Sequence, residues 1–277
     1  MASAKDIRVA PIKAADARDH VRKYHYSGKV VNNSCLHLGV FLNGRLEGVM
    51  QYGPSLDKRK LAALVEGTKW NDFIELNRMA FSDRLPRNSE SRAMAIAHRA
   101  IRKNYPNIEW IVSFADASQC GDGAIYRASG FVLTGIKKNT QVWRHPSGIV
   151  ISRTAMTNLG ANGALKQRRE LSERFGVDLT NCSGASMKPY ADVGFRPVSG
   201  FQLRYIYFLN PVARQRLTVP ILPFSRIAEM GASMYRGKSV REKQANVGTT
   251  DTATVQLRSS RSNSLENKAN LESKEVS

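Results

Sequence analysis

Cysteine is scarce in this chain: Cys35, Cys120 and Cys182 are the three among 277 residues, an odd number at wide spacing. That excludes a disulfide framework and the paired spacing of a zinc site, and it makes a reducing cytoplasm the expected location. Long apolar runs are missing as well, and nothing approaches the roughly 18 residues that cross a bilayer. The amino-terminal segment lacks the apolar centre of a secretory leader, so membrane is not an expected partner. Acidic side chains are few, 23 against 42 lysines and arginines, which leaves a net charge of +19. Such an excess points to a polyanion, double-stranded nucleic acid first, because each neutralised phosphate releases counterions; plain solubility is the bland alternative. Aromatic residues stop before 241, and 241–277 is dominated by Ser, Asn, Thr and Lys with cations and anions nearly balanced. That tail is expected to be disordered, so the charge belongs to the folded part.

What is present is one strongly patterned stretch, 72–135. Ile74, Leu76, Met79 and Phe81 give an apolar run of strand length, a polar turn over 84–91 breaks it, and Ala93, Met94, Ile96, Ala97, Ala100 and Ile101 return at helical spacing. A second apolar run, 108–115, stops at Asp116. Strand, helix and strand imply a parallel pair with a right-handed crossover, and ligands gather beyond the carboxyl ends of such strands. Residues 78–91 and 116–126 are therefore expected to face one cleft. On the helix, Arg92, His98, Arg99, Arg102 and Lys103 read as a solvated face.

Along the chain, a short strand at 7–10 and a helix over 14–24, with Asp16 placed to cap it, lead into Tyr24-His25-Tyr26-Ser27-Gly28-Lys29. That cluster is either a substrate-facing loop, with His25 as proton carrier and the tyrosines as stacking surfaces for a base, or a helix end with a half-buried aromatic pair. Asn43-Gly44 between two apolar strands predicts a tight hairpin over 36–52, with His37 a packed strand residue. Lys58-Arg59-Lys60 meets phosphate or is a solvated face. Asn88 or Ser89 is placed to cap the central helix, where free amides bind anions. Asp116, at the end of an apolar strand, either accepts a proton from an attacking amine or ties down the next turn. Tyr126, in a short helix four residues before Gly130, reads as a core anchor of that helix on the sheet. Beyond these, the pattern predicts a hairpin over 141–153, a charged helix over 164–175, a broken loop over 187–200 and a strand over 202–209. Arg214, Arg216, Arg226, Arg236 and Lys238, interleaved with Phe224 and Tyr235, suit a DNA-facing surface.

The order of strand, polar turn, helix and strand, followed by Tyr126-Arg127-Ala128-Ser129-Gly130-Phe131, resembles the core of the GCN5-related acetyltransferases (GNAT). Four segments resemble the Mom proteins of bacteriophages: Tyr24-His25-Tyr26-Ser27-Gly28-Lys29, Glu75-Leu76-Asn77-Arg78-Met79, Pro86-Arg87-Asn88-Ser89-Glu90-Ser91 and Ser113-Phe114-Ala115-Asp116. The resemblance implies an α/β (α+β) fold with a GNAT-like mixed central sheet flanked by helices, and acetyl-CoA as cofactor. It implies an enzyme of the host-cell cytoplasm that converts adenine in DNA to its methylcarbamoyl (acetamido) form and so shields phage DNA from restriction. It also implies that Arg78 and Ser91 belong to the cofactor site, that Asp116 is the essential acid, and that Tyr126 protonates the departing thiolate. One departure stands out. GNAT proteins usually carry a Gly-rich turn at the phosphates, and this chain has no glycine between Gly67 and Gly121; either side chains of Arg87, Asn88, Ser89, Ser91 and Arg92 replace some backbone contacts, or the cofactor is held differently.

The resulting expectation is a catalytic core over 1–153, a basic extension over 154–240 that contacts DNA, and the tail 241–277. Arg78, Asn88, Ser91 and Arg92 hold the cofactor phosphates, Asp116 with His25 manages the amine proton, Tyr24 and Tyr26 stack on a flipped adenine, and Tyr126 protonates the leaving group. A metal ion such as iron is a conceivable addition, with His25 and Asp116 too few to hold it alone. Two alternatives stay open: a GNAT enzyme acetylating a protein or small amine, and a basic DNA-binding protein without catalysis.

Overall fold

The Asn43-Gly44 pair turns the chain as its residue types demand. In the computed structural model, which describes residues 2–116, 122–158, 162–180 and 186–230, both take positive φ, 50° and 77°, the geometry of a tight turn that matches the twist of the flanking strands. The chain runs through β1 (Arg8–Pro11), α1 (Ala14–Tyr24), the hairpin β2 (Leu36–Leu42) and β3 (Arg45–Gly53), and a short α2 (Lys58–Ala62). Then come β4 (Phe73–Phe81), α3 (Ser89–Asn104), β5 (Trp110–Asp116), α4 (Ala124–Ala128) and β6 (Val132–Lys138). A second hairpin follows, β7 (Val142–Arg144) and β8 (Val150–Ser152), with α5 (Arg153–Thr157), α6 (Asn162–Phe175), α7 (Lys188–Asp192) and β9 (Arg196–Pro197). The chain returns as β10 (Phe201–Phe208) and closes with the 3-10 turn Pro211–Arg216 and α8 (Ser225–Glu229).

The main sheet has seven strands in the order β1-β2-β3-β4-β5-β10-β6. Only β4 and β5 are parallel, joined by α3 as the crossover; this is the mixed α/β sheet flanked by helices that the sequence implies. Period-two alternation sends Met50, Tyr52, Leu76, Ile111 and Leu203 to one face, under Ala93, Met94, Ala97 and Ile101 of α3. The opposite face carries Phe73, Trp110, Val112 and Ile206 under α2, and Val49 and Ala80 under Ala17 and Val21 of α1. Trp110 is fully buried, stacks on Phe73 with centroids 4.2 Å apart and donates its indole N–H to Thr68 Oγ1 at 3.2 Å. These contacts fix the two strands at their amino ends.

Several expectations change. The strand foreseen at 202–209 lies inside the sheet, antiparallel to both β5 and β6, so the residues after 153 supply a central element of the first core. Between β6 and β10 the chain builds a smaller core of its own around Ile151, Met156, Leu171, Tyr190 and Phe195, and 187–200 contains α7, started by a proline in its first turn, rather than loop alone. α1 begins after Lys13 with no side-chain cap, so Asp16 does not cap it. The tail 241–277, with Arg236 and Lys238, lies outside the described residues, as do Cys120 and Cys182.

His98 is not on a solvated face. It is 2% exposed, packed against Tyr207 and Phe131, because positions 94, 97, 98 and 101 form one stripe of the helix. Burial, helped by Arg102, holds its imidazole at about 3. Between that value and an ordinary 6.5 the unfolded chain binds a proton that the folded chain does not, so stability falls as pH drops through this window. At pH 5 the loss attributable to His98 is roughly 2 kcal/mol. Denaturant unfolding at pH 7 and pH 5 should show that loss in the wild type and its disappearance in His98→Leu.

Candidate active site at the fork between β4 and β5

β4 and β5 pair only from Phe73↔Trp110 to Glu75↔Val112 and then part. The cause lies on the other edge of β4. Its register with β3 runs Met50↔Met79 and Gln51↔Arg78, then jumps to Tyr52↔Leu76, leaving Asn77 as an extra, bulged residue. The bulge bends β4 away from β5. It also turns Glu75 and Arg78, three apart in sequence, to the same face. Asn77 is buried, and its Oδ1 accepts a hydrogen bond from Ser34 Oγ at 3.0 Å. Gly53 sits against this point; a Cβ there would come within 2.4 Å of the Asn33 carbonyl and 2.9 Å of Asn77 Oδ1.

Tyr126 reaches the fork from the face covered by α3. It is 8% exposed, its ring between Phe131 and Tyr205. Ser113 Oγ lies 2.9 Å from the Tyr126 hydroxyl and 3.1 Å from the Leu76 carbonyl. Both oxygens are acceptors within reach of the one serine hydroxyl hydrogen. The helix of Tyr126 is anchored by Asp122, which pairs with Arg127 at 2.8 Å and whose carbonyl accepts from the Tyr205 hydroxyl at 2.5 Å. Tyr126 is packed, and its hydroxyl stands where the strands separate.

The opposite face holds the rest. Arg78 donates from Nε to the Lys29 carbonyl at 3.1 Å and from one terminal nitrogen to the Asn77 carbonyl at 2.8 Å, which pins the loop after α1 onto the sheet. His25, in that loop, accepts at Nδ1 from the Ser27 backbone N–H at 3.2 Å and has Ser27 Oγ 2.8 Å away. An amide can only donate, so the neutral imidazole carries its proton on Nε2. Burial and then the nearby Arg78 charge lower His25 to about 4. The turn itself is generic, since His145, Ser147 and Gly148 repeat the same hydrogen bonds; what distinguishes His25 is its burial beside Arg78. Tyr26 is 56% exposed and leans against His25, ring centroids 4.2 Å apart and planes tilted by 32°, a platform open to solvent. His37 is a packed strand residue bonded to Gln51 at 3.0 Å.

Glu75 is a site residue to which sequence reasoning gave no role of its own. Burial raises its carboxyl, while Ser55, Asn77 and Arg78 close by pull it down. Its signal was the charge spacing in Glu75-Leu76-Asn77-Arg78, which a regular strand would split between two faces. Asp116 ends β5, half-buried, directly opposite Gln202 of β10. By alternation it lies on the face of Val112 and Phe114, the same face as Glu75, Arg78 and His25.

The third part of the site is the start of α3. Asn88 stands at the cap position with φ 69°, yet its side chain makes no cap hydrogen bond. Ser91 Oγ donates to the Asn88 carbonyl at 3.1 Å. Ser89 is 1% exposed, and its hydroxyl has no hydrogen-bond partner among the described residues. Arg87 and Arg92 are exposed. Uncapped amides and the exposed guanidinium groups of Arg87 and Arg92, which make no ion pair among the described residues, suit an anion such as a phosphate. Among the described residues, no hydrogen bond or ion pair joins Arg78 to Asn88, Ser91 or Arg92; the structure groups Arg78 with His25.

Among the described residues, no three His, Cys, Asp or Glu side chains are gathered as a metal site, and His25 with Asp116 alone does not make one. No helix among them is long and apolar enough to cross a membrane. Of the cations expected to face DNA, Arg216 is bound to Glu109 and to the Glu66 carbonyl, and Arg226 pairs with Glu229 at 2.7 Å. Tyr235, like Arg236 and Lys238, lies outside the described residues.

A model of the Mom protein family matches residues 6–226. The methylcarbamoylase Mom of Escherichia phage Mu is 37% identical over 223 residues, 78% of this chain and 81% of that protein. Among solved structures, the ribosomal-protein-S18-alanine N-acetyltransferase of Escherichia coli is similar at a TM-score of 0.38 and 10% identity, over 74% of this chain and 94% of that one. A GNAT family acetyltransferase from Elizabethkingia anophelis with acetyl-CoA bound is similar at a TM-score of 0.32 and 16% identity, over 49% of this chain and 82% of that one.

Proposed function

The chain belongs to the Mom protein family, and from that premise we propose that it is a transferase acting on adenine in double-stranded DNA. The product is N6-methylcarbamoyl (acetamido) adenine, and its consequence is protection of the DNA from restriction in the host cytoplasm. The observation that carries this reading is the fork, which meets a tyrosine hydroxyl on one face and Glu75, Arg78 and the neutral His25 on the other, next to a phosphate-ready helix start. The net charge of +19 suits the duplex as substrate.

The exocyclic amine of adenine is engaged in pairing, so the base leaves the stack to react, and Tyr26 offers a surface to receive it. Asp116 accepts the amine proton, with His25 ready as a neutral base. Arg78 keeps the loop that carries His25 and Tyr26 closed on the sheet. The start of α3, through its amides and Arg87, Asn88, Ser89, Ser91 and Arg92, holds the phosphates of acetyl-CoA, which when bound supplies a thioester-activated two-carbon unit. Tyr126 gives its hydroxyl proton to the departing group and recovers one through Ser113. Transfer of an acetyl group alone would join the amine to the carbonyl carbon. The methylcarbamoyl group joins through its methylene carbon and carries a further nitrogen, so the reaction also draws on a nitrogen donor, which displaces the thiol at the carbonyl, and on a two-electron oxidant, because a methyl C–H is exchanged for the new C–N bond.

Mass spectrometry of nucleosides digested from plasmid DNA, in cells expressing the chain, tests this directly. A deoxyadenosine heavier by an acetamido group is the expected product. Unaltered nucleosides with turnover of acetyl-CoA would instead favour an acetyltransferase of proteins or small amines. In the same assay Tyr126→Phe should lower modification roughly 100-fold with DNA affinity unchanged, since the phenyl ring keeps the packing and loses only the proton. Full activity in that variant would remove Tyr126 from the chemistry.

A further inference from the structure

Leu56 is 93% exposed while the residue before it, Ser55, is 6% exposed, so the loop between β3 and α2 is rooted in the protein and presents one apolar tip. The root belongs to the candidate site. Asn33 donates to the Pro54 carbonyl at 2.5 Å, Gly53 is wedged against Asn33, Ser34 and Asn77, and the Ser55 hydroxyl lies beside the Glu75 carboxyl. α2, which follows Leu56, packs on the sheet face that also carries α1, which precedes Tyr26. Cations follow the tip, after Asp57, whose carboxylate pairs with Lys60 at 3.1 Å. Arg59 is exposed, and Lys58 sits with its ammonium 4.9 Å from the ring of Trp70, itself 60% exposed.

A single exposed leucine is ordinary. A leucine on a root held by residues of the site, close in the chain to cations and an open indole, has what a protein needs to part stacked bases: cations hold phosphates while an apolar side chain enters the step and fills the space that a flipped base leaves. We infer that Leu56 is a wedge that occupies the gap in the DNA stack opposite the reacting adenine, with Lys58, Arg59 and Trp70 gripping the flanking strand. The inference rests on the adenine-modifying reading and assigns the work of opening the duplex, which no residue of the fork performs.

Opening costs a few kcal/mol for a paired base and least for a single-stranded one; loss of the wedge should therefore depend on pairing. The test uses a duplex copied from a plasmid site that the wild type modifies, with 2-aminopurine at the modified position. Wild type is expected to raise its fluorescence severalfold. Leu56→Ala should abolish that rise while its thermal melting and its affinity for the duplex, read by anisotropy, stay within about threefold. The same variant should modify plasmid adenine at least tenfold less than wild type, and Leu56→Met should restore both signals. An equal fluorescence rise in wild type and Leu56→Ala overturns the wedge and leaves the transferase standing. No modified adenine with wild type overturns both.

Discussion

Asp116→Asn is expected to reduce adenine modification by roughly 100- to 10,000-fold, the usual worth of a positioned proton acceptor, while the fold and the affinity for DNA stay as they are. Asparagine keeps the shape of the side chain at the end of β5, where the pairing of Asp116 with Gln202 is made by the backbone. What it removes is the capacity to take a proton from the amine. The position supports that role because β5 is largely buried up to Ala115 and the residue that follows is half-buried, so a carboxylate there is partly withdrawn from water. Nucleoside mass spectrometry on plasmid DNA measures the product, and circular dichroism with salt-dependent DNA binding checks that only chemistry has changed. Activity within tenfold of wild type would take the proton-accepting role from Asp116 and pass it to Glu75, whose carboxyl burial already raises. Glu75→Gln would then be the inactive variant.

The parts of this fold that were legible in the sequence are those decided locally. Asn43-Gly44 sets its own turn through positive φ, the helix over 14–24 follows its own periodicity, and β4, α3 and β5 announce themselves by apolar spacing. The rest is decided by neighbours far along the chain. The alternation in Phe201–Phe208 marks a strand, but nothing within it says that its partners are 110–116 and 132–138. Arg216 looks like a free cation until Glu109 is brought against it. His98 looks polar by type, and only its place one turn from Met94 and Ile101 puts it inside. The site shows the same division. His25, Tyr26, Asp116 and Tyr126 could be named as candidates from residue type and position, whereas the bulge at Asn77 that forks the strands and aligns Glu75 with Arg78 is a property of the register with β3.

Arg78→Ala separates two accounts of this arginine. In the first, its guanidinium holds a cofactor phosphate. In the second, which the hydrogen bonds to the Lys29 and Asn77 carbonyls support, it positions the loop of His25 and Tyr26. On the second account its removal frees two carbonyls, loosens the loop at a cost of roughly 1–3 kcal/mol, and strips His25 of part of its burial and of an adjacent positive charge. Both changes favour the protonated imidazole, so the His25 value should climb from about 4 toward its ordinary 6.5. The imidazole that is neutral throughout pH 5 to 8 in wild type would begin to protonate below about pH 6.5 in the variant, and any residual activity would fall off earlier on the acid side. Histidine NMR titration reads the first effect and nucleoside mass spectrometry the second, with a loss of modification of at least roughly 100-fold expected. Arg78→Lys sharpens the comparison, because it keeps the charge near His25 and cannot reproduce both hydrogen bonds: His25 should stay depressed while modification still drops. A His25 titration unmoved in Arg78→Ala, together with a raised requirement for acetyl-CoA, would return Arg78 to the cofactor and leave the closure of the loop to Ser34 and Asn77.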